Sequence, residues 1–101
     1  MALDMYAHGE REAIGHHEEF IFSLAQADAK RFPHLLSLWG AFYDDPRIPP
    51  AQAEGLVHEL IDLLALHGGL ANKALASPVI RLLPFFSRAS RGGWDITTQS
   101  D

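Results

Sequence analysis

The pattern of apolar and polar residues between Phe32 and Gly69 predicts two amphipathic helices joined by a proline-rich turn. In the first helix, apolar residues recur at intervals of three and four, which places them on one face of an α-helix. Pro33 fits an early helical position, and Pro46 ends the helix because it disfavours the helical conformation at Asp45. The predicted buried face consists of Leu35, Leu36, Leu38, Trp39, Phe42 and Tyr43.

The second helix is predicted from the Pro49-Pro50 pair to about His67, where Gly68-Gly69 provide the left-handed residue that commonly ends a helix. The connection between the two helices, from Asp44 to Pro49, is short, so we expect an antiparallel helical hairpin. The predicted buried face contains Leu56, Val57, Leu60, Ile61, Leu63 and Leu64, and the opposite stripe carries Glu54, His58 and Asp62.

The two ends of the chain have patterns that indicate strands. Apolar residues flank His8-Gly9-Glu10, which predicts a β-hairpin near the N-terminus. The segment from Glu18 to Gln26 fits a strand, through the alternation of Phe20 and Phe22, and fits a helical face equally well, so both interpretations stay open. The tail from Trp94 to Asp101 has strand-forming residues and is expected to pair with an N-terminal strand.

The region after Gly69 is predicted to be helical in two parts. Ser77-Pro78 has the pattern of an N-cap followed by proline at the first helical position. Apolar residues then recur at helical spacing to about Arg91, and Pro84 is expected to kink this helix or split it in two. Because Phe85 and Phe86 are adjacent, we expect that only one of them faces the core.

Together these patterns predict a mainly α fold: an antiparallel bundle of three to four helices with a small N-terminal β-hairpin and a C-terminal strand. An α+β fold is the alternative. The 101 residues, 48% of them hydrophobic, are those of one globular domain over residues 1–101. No apolar run approaches the ~20 residues of a membrane span, and the N-terminus lacks signal-peptide features. We therefore expect a cytoplasmic protein that does not contact membranes.

The charge distribution favours a protein partner over nucleic acid. The net charge is −5; residues 1–62 hold eleven acids and four bases, a net −7, and residues 63–101 have a net +2. Nucleic-acid binding requires a basic surface, so this acidic chain is expected to attract a basic protein instead. The predicted partner-binding residues are an acidic edge and one exposed aromatic anchor: Asp44, Asp45, Glu54, Glu59, Asp62 and Trp94.

Candidate chemistry is sparse. The sequence has no cysteine, which excludes thiol nucleophiles and thiolate metal sites, and its serines do not lie in a Gly-x-Ser-x-Gly elbow. His58 with Asp62 and the His16-His17 pair suggest a small metal- or ligand-binding module as the alternative function. The second histidine of a zincin helix is missing, however, and adjacent side chains diverge. We therefore predict neither catalytic residues, nor a bound metal, nor a cofactor.

The helical-hairpin segment PHLLSLWGAFYDDPRIPPAQAEGLVHELIDLL, about a third of the chain, together with the small size and acidic charge, resembles immunity proteins. Such proteins neutralise antibacterial toxins that bacteria deliver to competing cells. The resemblance implies a non-catalytic inhibitor whose acidic side chains block a basic site on a toxin domain. A self-associating structural domain that uses exposed aromatic residues is a third interpretation.

Overall fold

The computed structural model describes residues 2–100 as a mostly helical chain with a small antiparallel sheet, in agreement with the predicted mainly α fold. Besides two 3-10 helices, His16–Glu18 and Gly69–Ala71, residues 2–100 form seven strands and α-helices, called the seven elements below: β1 (Leu3–Ala7), β2 (Glu10–Ile14), α1 (Phe20–Gln26), α2 (Pro33–Gly40), α3 (Pro50–Leu66), α4 (Lys73–Gly92) and β3 (Thr97–Ser100). No helix within residues 2–100 is long and apolar enough to cross a membrane.

The predicted N-terminal hairpin is confirmed and is formed by β1 and β2. Ala7 pairs with Glu10, which leaves a loop of two residues, His8 and Gly9. Both have positive φ, at 50° and 81°. A two-residue loop with positive φ at both positions is a type I′ turn, which matches the twist of the strands it joins, and glycine makes it accessible.

The C-terminal tail pairs with β1, as predicted, and completes a sheet with the order β2-β1-β3. Leu3, Met5 and Ala7 on the inner face of β1 are buried against the helices. Just before β3, Ile96 forms an isolated antiparallel bridge with Ile48, with N–O distances of 2.8 and 2.9 Å. The segment that precedes α3 therefore borders the outer edge of the sheet.

The ambiguous segment near Phe20 is helical, because α1 buries Ile21, Phe22 and Ala25 on one face. Both helices of the predicted pair are present, although α2 ends at Gly40 rather than near Tyr43. The most extensive helix–helix contact of α3 is with α4, and its contact with α2 is smaller. In the fold, α3 thus packs mainly against α4, and its pairing with α2 in the predicted helical hairpin is the smaller contact.

Two expectations about α4 are wrong, and of the two alternatives for Pro84, a kink or a split, the structure excludes the split. This helix begins after Asn72, whose side chain accepts a hydrogen bond from Leu75 N at 3.4 Å, and not at Ser77. It also continues through Pro84 without splitting. Phe85 and Phe86 are both buried, since α4 packs against α3 on one side and against β2 on another. Packing on two sides outweighs the cost of a helical proline, about 3 kcal/mol.

The core is one contiguous cluster to which all seven elements except β3 contribute buried side chains. Leu60 of α3 is 1% exposed and lies in this cluster, whereas its neighbour Ile61 is 51% exposed. Adjacent helical residues point about 100° apart, so these two separate the buried face from the outer one. They form a matched pair for testing the assignment of the faces.

We predict that Leu60→Ala lowers the free energy of unfolding by roughly 2–5 kcal/mol, because it leaves a cavity in the core. Ile61→Ala should change it by less than about 1 kcal/mol, since that side chain is half in solvent. Urea unfolding followed by circular dichroism measures both. Equal effects of the two substitutions would show that the buried face of α3 has been misidentified.

Candidate functional site

Glu59, predicted as part of an exposed acidic edge, is instead buried at the contact between α3 and α2. Its side chain is 9% exposed. Oε2 accepts a hydrogen bond from the backbone N–H of His34, and Oε1 accepts one from that of Leu35, both at 2.9 Å. Phe32 at the N-cap of α2 provides no side-chain acceptor, so Glu59 caps this helix from another element. It is therefore not available to a partner.

The His34 imidazole completes this cap. Its Nδ1 makes a short contact with Glu59 Oε2, and its side chain remains 43% exposed. The ring lies against Gly55 of α3, where an added Cβ would come within 2.5 Å of His34 Nδ1. Glycine at position 55 thus allows the close approach of the ring that the Glu59 contact requires.

Asp45 also has a structural role. Its backbone has φ 49°, in the left-handed region, and its carboxylate accepts hydrogen bonds from Ser100 N at 2.7 Å and Ser100 Oγ at 2.9 Å. The hydrogen bond from the Ser100 backbone is the main cause that lowers the pKa of Asp45 below 3.8. The carboxylate occupies the place of a neighbouring strand at the outer edge of β3, which protects that edge from further pairing.

Asp62 is paired within the chain. Arg31, in the connection between α1 and α2, donates to both Asp62 oxygens at 2.6 and 2.9 Å. These hydrogen bonds are the main cause that lowers the pKa of Asp62. Of the five predicted acids, Asp44 and Glu54 are the two that are exposed without such a contact to a distant part of the chain.

Part of the charge asymmetry of the sequence is neutralised by ion pairs within the fold. Arg81 and Arg88, two helical turns apart on α4, face the acids of the N-terminal region. Arg81 lies 2.7 Å from Glu18 and 3.3 Å from Glu12, and Arg88 donates to Glu10 at 2.9 Å. These arginines of the basic segment 63–101 therefore neutralise part of the negative charge of segment 1–62, and they hold α4 against β2.

Trp94, predicted as an exposed anchor, is half-buried. Its ring stacks on the imidazole of His8 with centroids 4.0 Å apart and planes at 9°. It also lies against Gly92, where an added Cβ would come within 2.5 Å of the indole. The stack connects the β-hairpin turn to the segment between α4 and β3.

An exposed aromatic residue is found instead at Tyr43, beside Asp44. The Tyr43 side chain is 48% exposed, and its hydroxyl donates to Glu19 Oε1 at 3.2 Å. Partial burial and then the Glu19 charge raise the pKa of Tyr43 above 10.0, so the hydroxyl stays protonated at neutral pH. We call Glu19, Tyr43 and Asp44 the aromatic–acidic patch.

Packing beneath the patch fixes the position of the tyrosine. The Tyr43 ring meets Phe42 edge-on at 5.3 Å and Trp39 at 6.1 Å, and Phe42 is fully buried. The sequence pattern predicts a buried helical face for Tyr43, and this prediction is wrong. Its exposure follows from the end of α2 at Gly40, which removes Tyr43 from the periodicity of the helix.

The histidines and acids of the alternative metal-site hypothesis form separate pairs and do not meet at one site. His16 pairs with Glu19 at 3.2 Å, His17 with Glu18 at 3.8 Å, and His58 with Glu54 at 3.9 Å. Asp62 is held by Arg31. Within residues 2–100 there is no group of three or more histidine, cysteine, aspartate or glutamate side chains arranged to hold a metal ion.

Comparison with protein-family models, with curated proteins and with solved structures finds no match to this chain.

The cap formed by Glu59 can be tested directly. We predict that Glu59→Ala lowers the free energy of unfolding by roughly 2–3 kcal/mol, because it leaves backbone donors of α2 unsatisfied. Glu54→Ala, five residues earlier on the exposed side of α3, serves as the control and should leave the free energy of unfolding nearly unchanged. Urea unfolding measures both, and a Glu59→Ala protein as stable as Glu54→Ala would contradict the capping role.

The lowered pKa of Asp45 predicts a pH-dependent contribution to stability. A carboxyl group whose pKa is lower in the folded state stabilises the fold above its unfolded pKa, near 3.8, and loses that effect as pH falls through the folded pKa. Asp45→Asn should therefore be less stable than the wild type at pH 7, and the difference should shrink towards pH 2. Thermal unfolding across this range measures it, and a difference independent of pH would refute the ionic contribution.

Proposed function

We propose that the chain is a non-catalytic protein-binding inhibitor that contacts a basic partner through the aromatic–acidic patch. The observation that carries this proposal is the exposed Tyr43 ring, fixed by Glu19 and flanked by the exposed carboxylate of Asp44. Tyrosine is among the residues that contribute most to binding energy at protein interfaces. The patch is also preorganised, so little conformational entropy is lost when a partner binds.

The chemistry of the patch favours a cationic side chain as its ligand. A lysine or arginine from a partner gains a cation–π contact with the tyrosine ring and an ion pair with the aspartate. The net charge of −5 adds long-range attraction for a basic protein. This is the chemistry that the resemblance to immunity proteins implies, with a basic toxin domain as the partner.

The scaffold in this proposal is an antiparallel bundle of helices with the sheet attached, and the protein acts in the cytoplasm. The partner-binding role falls on Asp44 within the predicted acidic set. Glu59, Asp45 and Asp62 serve the fold.

We predict that Asp44→Lys weakens binding of the partner at least tenfold with unchanged thermal stability, because it places a like charge against a basic surface. The control is Asp28→Lys in the α1–α2 connection, which makes the same change in net charge at another exposed acid. The probe is the polypeptide encoded by the gene adjacent to this one, immobilised for biolayer interferometry at two salt concentrations.

The two variants distinguish a local contact from general attraction. Asp28→Lys should retain most of the affinity, since only the long-range charge has changed. Equal loss in both variants would reject the patch as the contact. Absence of binding by the wild type, or failure of co-expression to protect a bacterial host from that polypeptide, would reject the proposed function itself.

A further inference from the structure

A concave surface lies between α3 and α4, apart from the residues of the aromatic–acidic patch. The groove has a cavity volume of about 420 Å³, which is within the range of small-molecule sites. Three side chains of α3 and three of α4 line it: Glu54, Val57, His58, Ser87, Ser90 and Arg91. Neither the capping interactions nor the proposed function uses these groups.

The α4 wall of the groove presents hydrogen-bond donors without acceptors. Within residues 2–100, Arg91 has no carboxylate within 4.0 Å, whereas each of the other five arginines does: Arg11, Arg31, Arg47, Arg81 and Arg88. In the same part of the chain, the hydroxyls of Ser87 and Ser90 make no hydrogen bond to the protein, as is also true of Ser23, Ser37 and Ser77. Three donors that the fold leaves accessible to solvent thus line one cavity.

The position of Arg91 alone has a simple explanation. It lies in the last turn of α4, where the helix dipole favours a cation. Serine is common in the helices of this chain, where Ser23, Ser37 and Ser77 also lie, so its presence in α4 is not unusual. What distinguishes Ser87 and Ser90 is that they line one cavity with Arg91, which allows all three to donate to the same acceptor.

The α3 wall decides which acceptor fits. Glu54 is exposed at the rim, 3.9 Å from His58 Nε2, and Val57 contributes an apolar surface. Arg91 and Glu54 give the two walls of the groove one charge of each sign. A phosphate dianion would therefore bring uncompensated negative charge close to Glu54, whereas a zwitterion would match one charge on each wall.

We propose that the α3–α4 groove binds a small zwitterionic ligand of the α-amino-acid class with an apolar side chain. Arg91, Ser87 and Ser90 bind its carboxylate, because a guanidinium and two hydroxyls suit the two carboxylate oxygens. Glu54 binds its ammonium group, and Val57 contacts its side chain. His58 supports Glu54 from the same wall.

The test is a titration of the ¹⁵N-labelled protein with L-leucine, followed by ¹H–¹⁵N NMR. Saturable shifts are expected at the backbone amides of residues 87–91 and at the Arg91 Nε–H. Arg91→Gln and Glu54→Gln should each weaken binding about tenfold or more, since each removes one charge pair. Lys30→Gln, which removes an exposed cation outside the groove, should leave binding unchanged.

Close analogues of leucine separate the contributions of its two charges. L-leucinamide lacks the carboxylate and isocaproate lacks the ammonium group, so each should bind about tenfold more weakly than L-leucine. Equal binding of either analogue overturns the zwitterion assignment, as does preferential binding of inorganic phosphate. No saturable shift with L-leucine up to millimolar concentration overturns the site.

Folding of the variants is checked by thermal unfolding before the titration. Arg91 and Glu54 are exposed, so both substitutions should leave the midpoint unchanged. Ser90→Ala provides a further variant that removes a donor without changing the charge. The affinity of Ser90→Ala for L-leucine should fall by a smaller factor than that of Arg91→Gln. Unchanged affinity in both variants would overturn the assignment of the α4 wall as the carboxylate-binding side.

Discussion

The carboxylate of Glu59 is the interaction on which the arrangement of the helices depends. An isolated helix as short as α2 is marginal in water, and Phe32 at its N-cap offers no acceptor. Glu59 supplies one from α3 for the donors of His34 and Leu35, while Leu36 N bonds to Phe32 O. Every backbone donor in the first turn is thus satisfied, and α2 is fixed where Leu35 and Leu38 enter the core.

Other side chains also bond to backbone groups or charges that are distant in sequence. The acidic surface is therefore smaller than the composition indicates. Asp45 bonds to Ser100 across 55 positions of sequence, and Arg81 bonds to Glu18 across 63. These pairs close the edge of the sheet and hold α4 against the hairpin. Net charge does not show where the charges lie in the folded chain, and here several acids pair with bases of other elements.

Local signals were sufficient to predict much of the fold. Periodicity gave α3 nearly to its ends, and the His8-Gly9 turn with flanking apolar residues gave the hairpin. The errors arise where tertiary contacts decide, as for Phe85 and Phe86, both of which become buried because α4 is covered on two sides. In the candidate site, the exposure of Asp44 was predictable, but the burial of Glu59 was not, because its partners lie 24 and 25 residues away.

Most charged side chains are thus paired within the fold, so the polar groups without such a partner are the candidates for binding another molecule. Within residues 2–100, five of the six arginines have a carboxylate within 4.0 Å, and the cations without one are Arg91, Lys30 and Lys73; of these three, Arg91 is the one that lines the α3–α4 groove. The same reasoning selects Tyr43, whose hydroxyl is fixed while nearly half of its side chain stays in water. The buried part of this ring packs on Phe42 and Trp39, and its exposed part is the surface on which the proposed contact with a partner rests.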